Sequence, residues 1–496
     1  MTAEATDEAR LVHRTTSLCR VCKNALPADV VATAGGEVWM RKACPHHGAQ
    51  DVRLSTDAAW YEETRAIKQH AAPPRIRHKT IDLGCPFDCG PCDAHGQKVR
   101  LPVVTITSAC NLDCPICYVH NKNDDAYHMD VDDFTRILHH LRDDHGGELD
   151  IVNITGGEPT LHPQLLDLIE LAHREGIHRV TVCSNGLRLA RDEELVRRLA
   201  AVDARVALSF DSFERDADYL LQGAHLLATK QRCMELLEKH GVSTTLIPVM
   251  TRGVNDHEVG ALIAYGLGKR NVRHLEIHTI TYTGQGGVHF DRAGRISMYE
   301  VLQRIEETTA GLLGPADFVP SPCAHPLCYQ IAYLLIDPDG GPPIPFTRFL
   351  ARDELYRALS DRLYMEPTPG LEAVMRDAID RLWADGGADA ERILRLLRRM
   401  LDDMFPTDRA LTRREALAAG ERAVKAIYVH SHMDEETFDT ERAMDCCDSN
   451  CYPDGTTIPV CNYNVLYREK EAHFNREPAV WNERSGGHRL TLRVMP

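Results

Sequence analysis

The chain has 496 residues, 43% of them hydrophobic, which is enough to bury a sizeable core and suggests two to four domains. Its formal net charge of −16 opposes broad attraction to phosphate backbones and argues against a nucleic-acid partner. No apolar run approaches the roughly 18 residues that span a bilayer, and the opening MTAEATDEAR lacks the basic and apolar regions of a signal peptide, so a cytoplasmic protein without a transmembrane segment is expected.

Seventeen cysteines are many for a reducing compartment, where metal binding or catalysis explains them better than disulfides do. In chain order, residues 1–72 come first and hold a hairpin signal, DVVATAGGEVWMRKA, whose Gly35 and Gly36 tolerate the positive φ of a tight turn. The pairs Cys19/Cys22 (CxxC) and Cys44/His47 (CxxH) flank this hairpin, a spacing that suits a tetrahedral zinc or a rubredoxin-like iron. His46 breaks the CxxH spacing. Residues 73–100 open with a link rich in proline and basic residues, APPRIRHK, and carry Cys85, Cys89 and Cys92 in GCPFDCGPCDAH. This CxxxCxxC reads as an auxiliary iron-sulfur cluster segment with no evident fourth ligand. His95 stands close by, although a solvent-facing histidine is the commoner case.

From residue 101 to 283, short β-branched runs alternate with amphipathic stretches, which argues for βα units around a parallel sheet. The strand candidates are LPVVTITSAC, LDIVNITGGE, RVTVCSNG, ARVALSFDS, STTLIPVM and VRHLEIHTI. Helix candidates include DVDDFTRILHHLRDD, QLLDLIELAHREG, DEELVRRLAAV and LATKQRCMELLEKHG. Six such units predict a partial TIM-type (βα)6 barrel, with its chemistry at the carboxyl ends of the strands.

The first strand ends in SACNLDCPICYVH, where Cys110, Cys114 and Cys117 repeat the CxxxCxxC spacing. Such a loop can wrap three thiolates around one face of a 4Fe-4S cube and leave the fourth iron to chelate a small molecule. The second strand ends in TGGEPTLHP. Its Gly156, Gly157, Glu158 and Pro159 let backbone groups approach a ligand closely. A glycine turn alone is a weak signal; one βα unit after the cysteine loop, it resembles the radical S-adenosylmethionine (SAM) superfamily over residues 101–283. Ile116 stands where many members have an aromatic. The resemblance implies reductive cleavage of SAM to a 5′-deoxyadenosyl radical. Ser184 and Asn185 in CSNG, and Asp211 in SFDS, are further candidates for SAM contacts, or else cap turns.

Residues 284–496 read as mainly helical, with one strand and turn in YQIAYLLIDPDGG. Cys323 and Cys328 in PSPCAHPLCYQ join Cys446, Cys447, Cys451 and Cys461 as candidates for a second auxiliary cluster. The set favoured is Cys323, Cys328, Cys446 and Cys461, with Cys447 and Cys451 as alternatives. Cys183 and Cys233 stand alone and read as buried small hydrophobes.

The order CxxC, CPxDCGxC, CNLxCPxC, PCxxPxC and a closing PDG…PxCxYN is similar to the archaeal tetraether lipid synthase family, which includes enzymes also described as pterin methylases. That resemblance runs from Cys19 to Asn464. It implies three 4Fe-4S clusters, one mononuclear zinc or iron, and reduced flavodoxin or ferredoxin as electron donor. The implied reaction is carbon-carbon bond formation or methylation on a small-molecule or lipid-like substrate. The stretch LEAVMRDAIDRLWADGGADAERILRLLRRMLDDMF has apolar residues at helical spacing that would line a lipid channel or form ordinary core. A multi-cluster electron carrier is the alternative from another class, but it needs neither the glycine turn nor a barrel.

Overall fold

The computed structural model describes residues 9–118, 126–147, 149–359, 362, 364–386 and 389–468. Strands β1 (Arg10–Leu18), β2 (Ala25–Ala32), β3 (Val38–Cys44) and β4 (Gly48–Ser55) form a four-stranded antiparallel sheet in chain order. The expected hairpin is β2–β3, and of the two glycines Gly36 takes the positive φ, at 81°. Alternation along these strands turns Ala28, Val30, Met40 and Val52 to one side, where they pack with Tyr61 of helix α1 (Ala58–Ala66) and with Leu327.

The six predicted strands are present as β5 (Leu101–Thr107), β6 (Ile151–Gly156), β7 (Arg179–Ser184), β8 (Arg205–Ser209), β9 (Thr244–Ile247) with its extension β10 (Val249–Met250), and β11 (Val272–Thr279). Between them lie α2 (Val131–His145), α3 (Leu165–Arg174), α4 (Glu193–Ala201), α5 (Arg215–Gln222), α6 (Leu227–Lys239) and α7 (Val259–Gly268). The helices start and stop where local chemistry directs them: Asp130 and Asp192 accept hydrogen bonds from the first turns of α2 and α4, and Gly146 and Gly223 end α2 and α5 in the left-handed conformation.

Strand alternation sorts the barrel into two environments. Val104, Ile106, Val152, Ile154, Val180, Val182, Leu275 and Ile277 pack beneath the helices. Their neighbours Thr105, Asn153, Thr181, Cys183, Glu276 and His278 therefore face the barrel interior. Cys183 is thus a correction to the expectation of a buried core residue: it is half-buried and sits on the inward face, whereas Cys233 is buried in the core as expected.

The C-terminal region is mainly helical, with α8 (Gly284–His289), α9 (Met298–Thr308), α10 (Arg352–Leu359), α11 (Pro369–Asp385), α12 (Ala390–Met404) and α13 (Arg413–Ala423). It also carries β12 (Val319–Pro320), β13 (Tyr329–Leu335), β14 (Ile344–Pro345), β15 (Val424–His430), β16 (Asp448–Cys451) and β17 (Thr457–Pro459). The sheet consequently does not stop at residue 283. β15 pairs parallel with β11, and β16 pairs parallel with β5, so eight parallel strands run in the order β16-β5-β6-β7-β8-β9-β11-β15. β13 then adds antiparallel to β15. The two ends of the sheet approach each other: the Tyr329 hydroxyl donates to the Asp448 carboxylate, and Cys323 Sγ lies 3.7 Å from Cys447 Sγ. The apolar stripe of α11 and α12 is core, with Leu371, Met375, Ile393, Leu397 and Met400 packed against β13 and β15 residues such as Tyr333 and Tyr428.

Candidate active site

β5 delivers the cysteine loop to the carboxyl end of the barrel. Cys110 is buried and Cys114 and Cys117 are half-buried. The loop is held from outside: Ile116 N donates to Leu221 O at 3.2 Å, and Gly286 N donates to Cys117 O at 3.1 Å. Burial pushes the Cys110 thiol up to about 11 and the Cys114 thiol higher still. Raised thiols of this kind stay protonated unless a metal takes the sulfur.

The glycine turn exists because two backbones meet there. A Cβ on Gly156, whose φ is 155°, would stand 2.2 Å from Thr107 O, and one on Gly157 would stand 2.2 Å from Ala109 O. With no side chains in the way, Gly157 N donates to Thr107 O at 2.8 Å and Glu158 N donates to Ala109 O at 2.7 Å. The turn is thereby locked to the stretch leading into Cys110. Glu158 is buried, and its carboxylate accepts from the Thr160 N–H (3.1 Å) and hydroxyl (2.6 Å), the Ser184 hydroxyl (2.8 Å) and the Asn185 N–H (2.7 Å). Glu158 and Ser184 thus bind the ends of β6 and β7 together, and Pro159 begins the short 3-10 turn that follows. The Asn185 side chain reaches Asn111 of the cysteine loop at 2.7 Å.

Asp211 is buried and accepts from Val249 N at 2.8 Å and from the Gln222 amide; burial raises its carboxyl. Lys230 of α6, absent from the sequence-based candidates, is buried across the same strand ends. Its ammonium donates to Asn185 O and Ser209 O, both at 2.7 Å. A lone lysine within an amphipathic helix gives no sequence signal, since most such lysines face solvent.

The barrel interior below is polar, and Thr105 Oγ1 and Asn153 Oδ1 are buried there without a hydrogen-bond partner among the described residues. Above it, at the ends of β11 and β15, a cavity is lined by Arg53, Thr279, Arg295, His432, Asp439 and Arg442, with Met40 and Trp60 of the N-terminal sheet and helix as part of its wall.

Cys19, Cys22, Cys44 and His47 converge, with their ligand atoms all within 4.8 Å of one another. His47 Nδ1 is 3.5 Å from Cys19 Sγ and 3.4 Å from Cys44 Sγ, and Cys22 Sγ is 3.9 Å from Cys44 Sγ. Zinc bonds of about 2.3 Å to sulfur and about 2.0 Å to nitrogen put tetrahedral ligands about 3.4–3.8 Å apart, so the donor set fits such an ion.

Cys85, Cys89 and Cys92 line one cavity, closed by Asn462, whose amide donates to Cys89 Sγ at 3.0 Å. His95 is half-buried in the same wall, and its Nε2 lies 3.0 Å from Cys446 O. Among the favoured C-terminal cysteines, Cys328 and Cys461 both help to raise the Cys446 thiol, and Cys328 helps to raise that of Cys461, in addition to the larger effect of burial. Cys323 lies beside Cys447, sulfur to sulfur at 3.7 Å. Cys451 packs into the barrel core.

The radical SAM superfamily model matches residues 104–265, and the HMPTM N-terminal zinc ribbon domain matches residues 11–56. The chain is 28% identical over 489 residues to a 7,8-dihydro-6-hydroxymethylpterin dimethyltransferase of Methanocaldococcus jannaschii, covering 92% of this chain and 94% of that protein. A GTP 3′,8-cyclase of Synechocystis sp. is 25% identical over 230 residues, 46% of this chain and 68% of that one. Streptococcus suis SuiB bound to S-adenosylmethionine shares 16% identity over 43% of this chain and 47% of its own, with a TM-score of 0.35. The matched domain begins inside β5 and encloses both the cysteine loop and the glycine turn, so residues 104–265 form a radical SAM domain and the chain is a radical SAM enzyme.

Proposed function

We propose that the enzyme methylates a reduced pterin or a related small polar heterocycle. The observation that carries this reading is the barrel interior, where Thr105 Oγ1 and Asn153 Oδ1 stand buried and unpaired on the inward face that also carries Glu276 and Cys183. Buried polar atoms of this kind are costly until a ligand satisfies them. A planar heterocycle edged with donors and acceptors does so, and an alkyl chain does not. Near full-length similarity to a pterin dimethyltransferase supports the same choice. The lipid-like alternative loses its support, because the apolar stripe, of the two uses open to it, serves as core and not as channel lining.

On this reading Cys110, Cys114 and Cys117 hold the cluster that, with SAM bound, supplies a 5′-deoxyadenosyl radical. Gly156 and Gly157 keep the turn open to the methionine end of SAM, and Glu158 with Ser184 fixes that turn against β7. Asn185 and Asp211 order the neighbouring strand ends, with Lys230 between them. Cys19, Cys22, Cys44 and His47 hold zinc. Cys85, Cys89 and Cys92 hold one auxiliary cluster, and Cys328, Cys446 and Cys461 contribute to a second. Residues 1–72, 73–100, 101–283 and 284–496 then serve as zinc unit, cluster segment, radical-generating barrel and closing region. A small reduced flavodoxin or ferredoxin supplies the electron.

The test is anaerobic turnover of cluster-loaded protein with SAM, reductant and 7,8-dihydro-6-hydroxymethylpterin. The expected result is 5′-deoxyadenosine together with a methylated pterin, both absent in Cys114→Ala. Formation of 5′-deoxyadenosine at a rate indifferent to the pterin, with no methylated product, overturns the substrate assignment.

A further inference from the structure

Three imidazoles meet at the carboxyl end of the barrel on elements that are far apart in the sequence. His278 is the penultimate residue of β11, His430 closes β15 and His432 follows two residues later, and all three are buried. One ligand nitrogen from each lies within 4.8 Å of the other two. The strand register explains the meeting: His278 is directly opposite His430 in the parallel β11–β15 pair, so both point to the same face.

A carboxylate holds the pair in place. Glu276 lies two residues before His278 on the same face of β11, with Oε1 3.1 Å from His278 Nε2 and 3.4 Å from His430 Nδ1. One nitrogen of each ring therefore donates to the carboxylate, and the other is turned into an acceptor. Metal-bound histidines are oriented by carboxylates in this way. Among the described residues the ion-pair partners of Glu276 are these two imidazoles, with no arginine or lysine. Asp448 adds a buried carboxylate to the half-buried Glu276, with Oδ2 4.0 Å from His430 Nε2. A chamber with two carboxylates and three buried imidazoles gains from a dication that neutralises it.

We propose that His278, His430 and His432 form a second mononuclear site for a divalent transition metal, zinc or ferrous iron, with Glu276 as the positioning carboxylate. Three nitrogen donors suit these ions and leave at least one position open toward the barrel interior. The site is distinct from the Cys19/Cys22/Cys44/His47 site. It does not depend on the substrate assignment.

The test is elemental analysis of full-length, cluster-loaded protein equilibrated with zinc ion and desalted. Wild type is expected to retain about two zinc per chain, one lost in Cys22→Ser and the other in His430→Ala, with iron and sulfide unchanged in the latter. Glu276→Gln keeps all three imidazoles and is expected to weaken the second zinc by about 10- to 100-fold, which carries the test if His430→Ala fails to fold. Retention of a single zinc that Cys22→Ser abolishes overturns the proposal. So does a loss of iron and sulfide instead of zinc in His430→Ala, because His432 Nδ1 lies 3.7 Å from Cys461 Sγ and the histidines would then belong to a cluster.

Discussion

Glu158 is the residue whose role differs most between sequence and structure. The glycine turn marks it as a cofactor contact, yet its carboxylate is occupied by four protein donors that join the ends of β6 and β7. Hydrogen bonds to a buried charge contribute about 1.5–3 kcal/mol each at most, and they do not add fully. Glu158→Gln turns one acceptor oxygen into a donor facing donors. It is expected to lower stability by about 2–3 kcal/mol and to weaken SAM binding at least tenfold, measured by chemical denaturation and by equilibrium titration with SAM. Asn153 tests the opposite situation, a polar atom with nothing to bind. Asn153→Ala should reduce kcat/KM for the pterin about tenfold, near 1.4 kcal/mol, while substrate-independent 5′-deoxyadenosine formation is unchanged. An equal loss in both readouts would show that Asn153 supports the fold instead.

At the scale of elements, β15 and α13 decide how the barrel is finished. β15, VKAIYVH, is short and fully buried, and periodicity cannot assign such a run to strand or helix. β16, DSNC, has no apolar pattern at all and is a strand only because β5 offers an unpaired edge. The attachment is charged as well as apolar: Glu421 in α13 is buried between Arg179 and Arg205, at the first residues of β7 and β8, with contacts of 3.3 and 2.6 Å. Burial opposes the Glu421 charge, but the two guanidiniums outweigh it and bring the carboxyl down to about 2. Its folded pKa is below the unfolded value, so its stabilisation is full above about pH 4.5 and is lost as pH falls toward 2. Glu421→Gln removes the carboxylate between the two guanidiniums while Arg179 keeps its salt bridge to Glu366, and is expected to cost about 1.5–3 kcal/mol at pH 7, with the gap to wild type narrowing below pH 4.5. Denaturation midpoints of the two proteins at pH 7 and pH 3.5 measure this; a gap independent of pH would remove the charge from the explanation.

For the whole molecule, the cysteines, the alternating strands and the glycine turn were legible in the sequence because each is a local pattern. Cys110, Cys114 and Cys117 are read from spacing, and Gly156 and Gly157 from being glycine beside a strand end. The six barrel strands follow from β-branched runs, and the N-terminal metal site from CxxC and CxxH around a hairpin. Tertiary structure decided what depends on partners remote in the chain. It paired Cys323 with Cys447, set Cys183 and Asn153 on the inward face, and brought His278, 152 residues before His430, into one register. The physical reason is the same in each case. Periodicity records which side of an element is apolar, but which polar groups face one another depends on strand order and closure, and residues 284–468 supply that closure from beyond the barrel's own segment.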